Sequence, residues 1–294
     1  MKIYNVGSLN IDYVYTVDHF VAAGETLASK EMNVFPGGKG LKQSVALARA
    51  GAGVIHGGMV GDGSGLLLDT LRASGVDTSR IGTGTGSSGH AIIQVDKNGQ
   101  NCILLFAGTN HQIQREYIEK FLNDAQKDDI LVLQNEVNGL HEIFEVAHEK
   151  QMQIAFNPSP YDESIKALPL SYVKWWFCNE IEGAALFGSG EAGEIADAFV
   201  KQFPHSNLIL TLGKEGSMFV NADRRIRQPI YKVSAVDTTA AGDTFTGYFL
   251  SAVKAGKDIA FALDVAAKAS AITVSRQGAS SSIPQAAEVF SFFQ

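Results

Sequence analysis

The segment richest in chemistry is Asp237-Thr238-Thr239-Ala240-Ala241-Gly242-Asp243-Thr244-Phe245-Thr246-Gly247. The small residues at 240–242 let the backbone approach a ligand closely, and an apolar helix follows. Such a helix start offers unpaired N–H groups and the positive end of a dipole, which together hold an anion. Asp243 falls in the first helical turn beside that anion, where a carboxylate can act as a base. The plainer reading is an acidic residue that merely stabilises a helix N-terminus. The small-residue turn, the acid and a second acid, Asp237, occur together, and that combination favours chemistry.

Other segments could bind ligands. Pro36-Gly37-Gly38-Lys39-Gly40-Leu41-Lys42-Gln43-Ser44 is a Gly-rich turn feeding a helix. It is not a P-loop, because no glycine stands five residues before Gly38-Lys39. Asn10 and Asp12 alternate with apolar residues after the first strand, so an amide and a carboxylate share one face of an extended segment and can bind vicinal hydroxyls. Asn179 and Glu182, three apart at a helix start, face one side, while Glu180 points elsewhere. Taken singly, each of these also reads as ordinary turn or cap chemistry. Several tempting patterns fail. Gly84-x-Gly86-x-x-Gly89 precedes a strand rather than a helix. His141-Glu142 and His148-Glu149 lack the spacing of a zinc-protease helix, and no Ser/His/Asp hydrolase elbow is present.

These residues lie at the ends of regular elements. Strands are predicted at 2–6, 54–59, 130–133, 153–156, 174–177 and 208–212. Helices are predicted at 39–50, 65–74, 115–123, 140–150 and 192–202, with two consecutive helices at 243–255 and 259–274. The alternation predicts an α/β fold with a mostly parallel central sheet covered by helices on both faces. Two segments, near 11–35 and 90–106, carry strand patterns with no helix to cover them. The second turns at Asp96-Lys97-Asn98-Gly99. They are expected to form a small antiparallel sheet standing off a single domain of residues 1–294, with a bare apolar face that a ligand or a second subunit must cover. Gly82–Gly89 is low in complexity and is expected to be a hinge-like loop.

The 294 residues, 45% hydrophobic and 19% charged, suit a soluble chain with one large core. A formal charge of −7 and the lack of a Lys/Arg run disfavour nucleic acid as a partner. No apolar stretch is long enough to cross a bilayer and no signal peptide is evident, so the expected location is the cytoplasm. Cys102 and Cys178 lie far apart and read as reduced, buried thiols.

In the content and order of these motifs the chain resembles the ribokinase, or PfkB-type, carbohydrate kinase family over nearly its whole length. The resemblance implies a ribokinase-like domain whose small sheet is a lid, and transfer of the γ-phosphoryl group of ATP to a sugar hydroxymethyl group. Ala240, Ala241 and Gly242 would form the anion hole and Asp243 the base. Asn10, Asp12, Gly38, Lys39, Lys42 and Glu136 would hold the sugar. Asn179, Thr211, Gly213, Gly216 and Gly242 would contact the nucleotide. Asn179 and Glu182 would position Mg²⁺ through water. Asp237, Thr239, Thr273, Arg276, Gly278 and Ser282 would enclose a monovalent cation, K⁺. The uncovered apolar face and edges of the small sheet predict a homodimer joined through the lids. A nucleoside or sugar-acid kinase of the same fold, or a non-catalytic sensor, are the alternatives.

Two positions depart from the family pattern. Tyr248 replaces a small residue on the helix after Asp243. Lys42 stands where asparagine is usual. An ammonium in the pocket needs a partner: Glu136, Asp12 or an anionic group on the substrate, unless the side chain turns out to solvent. A neutral, ribose-like furanose is favoured, because the acids at 12 and 136 would repel an anion.

Overall fold

The computed structural model describes residues 1–188 and 190–292; Ser189, Phe293 and Gln294 lie outside the described residues. The chain begins β1 (Ile3–Val6), β2 (Asn10–Thr16), β3 (Glu31–Gly37), α1 (Lys39–Arg49), β4 (Val54–Gly57), β5 (Met59–Asp62) and α2 (Gly65–Ala73). It continues through β6 (Gly82–Ser87), β7 (Gly89–Val95), β8 (Asn101–Phe106), α3 (Arg115–Phe121), β9 (Ile130–Gln134), α4 (Leu140–Glu149), β10 (Gln153–Asn157) and β11 (Val173–Asn179). The last third holds α5 (Glu180–Phe187), α6 (Ala192–Gln202), β12 (Asn207–Thr211), β13 (Ser217–Val220), β14 (Arg225–Gln228), α7 (Ala241–Lys254), α8 (Ile259–Val274) and α9 (Ala286–Phe292).

Eight strands form the main sheet in the order β14-β13-β12-β11-β10-β9-β1-β4, parallel except for the β12–β13–β14 antiparallel edge. Its central strands are continuous apolar runs, such as Ile130-Leu131-Val132-Leu133, because both faces are covered. One core, with Leu41, Val45, Phe249 and Leu263, lies under α1, α7 and α8. The other, with Phe121, Phe144, Trp176 and Phe199, lies under α3, α4 and α6.

Three expectations about the strands need correction. The segment 54–59 is not one strand: it breaks at Gly58, so that β4 joins the main sheet and β5 pairs with β6. Gly82–Gly89 is not a loop, because Gly82–Ser87 is β6, parallel to β5. On its other side the Gln112 amide replaces a strand, accepting from Thr85 N at 2.9 Å and donating to Thr85 O at 2.9 Å. The small sheet, β3-β2-β7-β8, is mixed rather than antiparallel, because β2 runs parallel to β7. Nor is it wholly bare: α2 packs against the inner ends of β2 and β3. The hairpin turn at Asp96–Gly99 is as expected, closed by Asp96 N donating to Gln100 O at 3.0 Å. Its outer strand is exposed throughout, with Leu104 at 68% and Ile103 at 56%. Cys102 lies on that strand, so of the two thiols only Cys178 is buried.

Candidate active site

The carboxyl ends of the parallel strands and the N-termini of α1 and α7 converge on a cleft of about 360 Å³. Such a location follows from parallel topology, which leaves ligand space outside strand ends. Of the expected site residues, Lys39, Lys42, Asn179, Glu182, Thr211, Thr239, Ala240, Ala241, Gly242 and Asp243 line this cleft.

Asp243 sits at its floor, in the first turn of α7. No side chain caps this helix; Ala241 N donates to Thr238 O at 3.3 Å, and the amides that follow are left for a ligand. Ala240, the residue before the helix, has φ +66°, the left-handed conformation that costs any residue with a Cβ about 1–2 kcal/mol. A Cβ added at Gly242 would meet nothing within 4 Å, so that position opens on empty space, as an anion cradle requires.

Both carboxylate oxygens of Asp243 are held by consecutive residues of α1. Gln43 Nε2 donates to Oδ1 at 2.9 Å. Lys42 Nζ lies 3.1 Å from Oδ2, with the side chains only 14% and 7% exposed. Neither sequence partner expected for Lys42, Glu136 or Asp12, makes this contact, and the side chain does not turn to solvent. Burial alone would raise the Asp243 carboxyl. The ammoniums of Lys42 and then Lys39, with hydrogen bonds from Gln43 and Lys42, outweigh it and hold the group below the usual carboxylate range. Burial pulls Lys42 down, but Asp243, Glu136 and Asp12 more than restore it, so the ammonium is kept.

Behind Gln43 runs a buried polar chain that spacing did not reveal. Gln134 Nε2 donates to Gln43 Oε1 at 2.8 Å and to Asn5 Oδ1 at 3.0 Å. Asn5 Nδ2 donates to Ser44 Oγ at 2.8 Å, and Ser44 meets His56 Nδ1 at 2.7 Å. Burial pushes His56 down to about 3, so its ring stays neutral. The one available signal was the polar pair Gln43-Ser44 inside an otherwise apolar helix stripe of Leu41, Val45 and Leu47.

The Gly-rich turn is placed by close backbone contact. Gly38 precedes α1 with φ +89°, and a Cβ there would sit 2.7 Å from Ser8 O. Glu136 Oε2 accepts from Lys39 N at 2.9 Å and from the Ser8 hydroxyl, so this carboxylate caps α1 from outside the helix. Asn10 is nearly buried, and its Oδ1 accepts from Asn110 Nδ2 at 2.7 Å. Asp12 lies across Gly37 and is pushed up to about 6, chiefly by burial and then by Glu136, against the pull of Lys42. Asn10, Asp12, Gly38 and Glu136 are not among the residues that line this cleft.

Asn179 and Glu182 form a reciprocal capping box on α5: Glu182 N donates to Asn179 Oδ1 at 2.9 Å, and Asn179 N to Glu182 Oε2 at 3.0 Å. Both residues also line the cleft. Among the described residues no group of three or more His, Cys, Asp or Glu side chains could by itself cage a metal ion. The donor set suits a cation that arrives with most of its ligands, such as one carried on phosphates, and that meets Glu182 through water.

Asp237 ties two loops together, its Oδ1 accepting from Thr239 N at 2.8 Å and its Oδ2 from Gly278 N at 3.1 Å. Val236 N also donates to Val274 O at 2.7 Å. These bonds tie the 236–239 segment to the 274–278 segment behind the start of α7. The Thr273 and Ser282 hydroxyls donate to Ala269 O and Ala279 O, and Arg276 pairs with Glu288, so those side chains turn elsewhere. Gly213 and Gly216 sit beyond Thr211, outside the cleft lining. Asn157, Ser159, Phe177 and Cys178 line it without having been singled out by sequence. Tyr248 is buried and donates to Pro284 O at 2.8 Å, so this departure only fastens α7 to the C-terminal segment.

The family model for the pfkB family carbohydrate kinases matches residues 2–286. The chain belongs to the pfkB carbohydrate kinase family. It is 35% identical over 303 residues to the ribokinase of Staphylococcus aureus, with 98% of each chain covered. Among solved structures, the ribokinase of Thermotoga maritima superposes with a TM-score of 0.87 at 37% identity, covering 99% of both chains. The ribokinase of Cryptococcus neoformans var. grubii in complex with ADP gives 0.88 at 28% identity, again covering 99% of both. The fold of this carbohydrate kinase is therefore ribokinase-like. Its reaction class is phosphoryl transfer to an alcohol.

Proposed function

We propose that this kinase transfers the γ-phosphoryl group of ATP to the hydroxymethyl group of a small, ribose-like furanose, with Asp243 as general base. The observation that carries the reading is the meeting, in one cleft, of a near-buried carboxylate with the uncapped start of α7. The acceptor hydroxyl gives its proton to Asp243, and its oxygen attacks the γ-phosphorus in line. The turn of Ala240, Ala241 and Gly242 at the start of α7 receives the developing charge. Asn10, Asp12, Gly38, Lys39 and Glu136 orient the sugar. Asn179, Thr211, Gly213 and Gly216 seat the nucleotide. Asn179 and Glu182 would position Mg²⁺, which would supply charge neutralisation on the phosphates. K⁺ would order the 237–239 and 274–282 loops behind the anion hole; equal rates in K⁺ and a large organic cation at constant Mg²⁺ count against it.

A neutral sugar is favoured over a sugar acid because the Lys42 charge is already spent on Asp243. A nucleoside is disfavoured too. Tyr13, His90 and Phe106 lie, by strand alternation and register, on the face of the small sheet opposite Asp12, which leaves Phe35, paired with Asp12, as the strand aromatic on its side. The small sheet serves as a lid of this single domain, and two lids join a homodimer. The test is ATP turnover against pentoses, hexoses, sugar acids and nucleosides, with Asp243→Asn as control. The parent should prefer D-ribose, and the variant should lose about 10²–10⁴ in kcat while still binding ADP. Near-parental kcat in Asp243→Asn would sink the assignment.

A further inference from the structure

Lys42 occupies the very oxygen that the proposed reaction needs. Gln43 donates to Oδ1 of Asp243, and the Lys42 ammonium lies 3.1 Å from Oδ2, whose second lone pair can take the acceptor proton. An acceptor hydroxyl poised for transfer must come within about 2.6–3.2 Å of the same Oδ2. Its oxygen, and the phosphoryl group joined to that oxygen, then lie within reach of the flexible Lys42 side chain.

We propose that Lys42 is a catalytic residue that exchanges anions during turnover, balancing the Asp243 carboxylate before transfer and the transferred phosphoryl group after it. The proposal rests on the reading of Asp243 as the base of a sugar kinase. In the step itself the acceptor O–H bond breaks and the proton moves to Oδ2. The electron pair left on oxygen forms the new bond to the γ-phosphorus of ATP. The bond from that phosphorus to the β–γ bridging oxygen breaks, and ADP leaves with its electron pair.

The charge account favours the exchange. Protonation turns Asp243 neutral, which strips Lys42 of its partner. An ammonium in so closed a place, left without an anion, costs several kcal/mol. Other charges nearby do not remove the problem. Lys39, on the same helix, is also cationic. Asp12 from β2 and Glu136 after β9 also support the Lys42 charge, but Asp243 is the acid that pairs with it directly, and Glu136 is hydrogen-bonded to the start of α1. Glu182 of α5 lines the same cleft but is committed to its capping box. On α8, packed along α7, Asp264 and Lys268 are spent on each other and on Tyr231. The group that arrives as the carboxylate is neutralised is the phosphoryl dianion. Proton transfer that runs ahead of phosphoryl transfer is penalised by Lys42, and the two are thereby coupled. A Lys42 that only clamped α1 to α7 would affect stability and have no effect on product affinity.

The experiment compares parent, Lys42→Met, Lys42→Arg and Asp243→Asn with Mg-ATP and D-ribose, and measures binding of D-ribose 5-phosphate and of ADP by calorimetry. Lys42→Met should lower kcat about 10–100-fold, with a smaller change in the KM for the sugar, and should weaken D-ribose 5-phosphate binding about tenfold or more. ADP binding should be retained, which also reports a folded protein, and Lys42→Arg should keep most of the product affinity. Lys42→Met with kcat and product affinity within twofold of the parent, while Asp243→Asn is dead, overturns the proposal and leaves the kinase reading standing. So does product affinity lost equally in Lys42→Arg and Lys42→Met. Asp243→Asn at parental rate, or a parent inactive on D-ribose and every other sugar of the panel, overturns both.

Discussion

Gln43 touches no substrate in this arrangement, yet its replacement should be felt in both stability and rate. Gln43→Leu keeps approximate volume but removes the N–H donated to Asp243 Oδ1 and the acceptor that Gln134 uses at 2.8 Å. A hydrogen bond to a charged group contributes about 1.5–3 kcal/mol, and an orphaned buried polar group costs about 1–3 kcal/mol. Gln134 retains Asn5 as a second acceptor, so the lower part of that range applies to it. The sum is about 2–4 kcal/mol of destabilisation. It can be read by urea denaturation with the fluorescence of Trp175 and Trp176, which lie in the two cores. With Oδ1 released, Asp243 can rotate and offer the wrong oxygen, and a misplacement of about 1 Å costs on the order of 10²-fold in kcat. Gln43→Glu sharpens the test. It preserves shape and the acceptor for Gln134 but sets a second carboxylate against Oδ1. The two acids must then share a proton, so the acid limb of the kcat profile should move to higher pH. Gln43→Leu within about 0.5 kcal/mol of parental stability, and with kcat within threefold, would refute the positioning role.

Ala240→Gly should stabilise the protein by about 0.5–1 kcal/mol, since relief of the left-handed strain outweighs the added freedom of the unfolded chain; a lowered melting temperature would contradict this. Gly242→Ala meets no protein atom, so melting should be nearly unchanged while kcat falls, and a variant that retains full kcat would remove the anion cradle from that position. Asp12 holds a proton in the folded state up to about pH 6, against 3.8 ordinarily, so its contribution to stability is complete below about pH 4 and is lost as pH rises through about 6. Asp12→Asn should flatten that part of the stability profile of the ligand-free protein, and an unchanged slope would contradict the assignment. Ile103 and Leu104 point to opposite faces of the exposed β8 strand. Light scattering should show a dimer that is broken by Ile103→Glu or Leu104→Glu, and a parent that is monomeric at micromolar concentration would refute pairing through the lids.

The main sheet was legible because its parallel strands are buried on both faces and read as continuous apolar runs, and the helices between them keep their period. The cleft was legible where chemistry sits on short local patterns: the small-residue turn before Asp243, the Asn179–Glu182 pair and the glycines before α1. What escaped depends on partners distant in sequence. Lys42 and Asp243 are joined only when α1 packs against α7. Gln134, Asn5 and His56 reach Asp243 from three different strands, and no spacing rule connects them. β6 escaped because glycine and threonine carry weak strand signals there, and one of its neighbours is the side chain of Gln112 rather than a strand. The parallel pairing of β2 with β7 could not be read from either strand alone.

The packing of α1 on α7 acts as a gauge. The two helices touch once per turn: Gln43 meets Asp243, Ala46 faces Gly247, and Ala50 O accepts from Ser251 Oγ at 3.1 Å. A Cβ at Gly247 would fall 2.4 Å from the Ala46 methyl and 2.7 Å from Leu47 N, so the bare backbone at 247 sets how near the axes lie. One turn away, the amide of Gln43 has a fixed length and must span whatever gap remains. A single methyl at 247 works as a shim: it widens the joint by a fraction of a side chain, and the carboxylate slips out of reach of its positioner. The machining tolerance of the base is thus carried by a residue with no chemistry of its own.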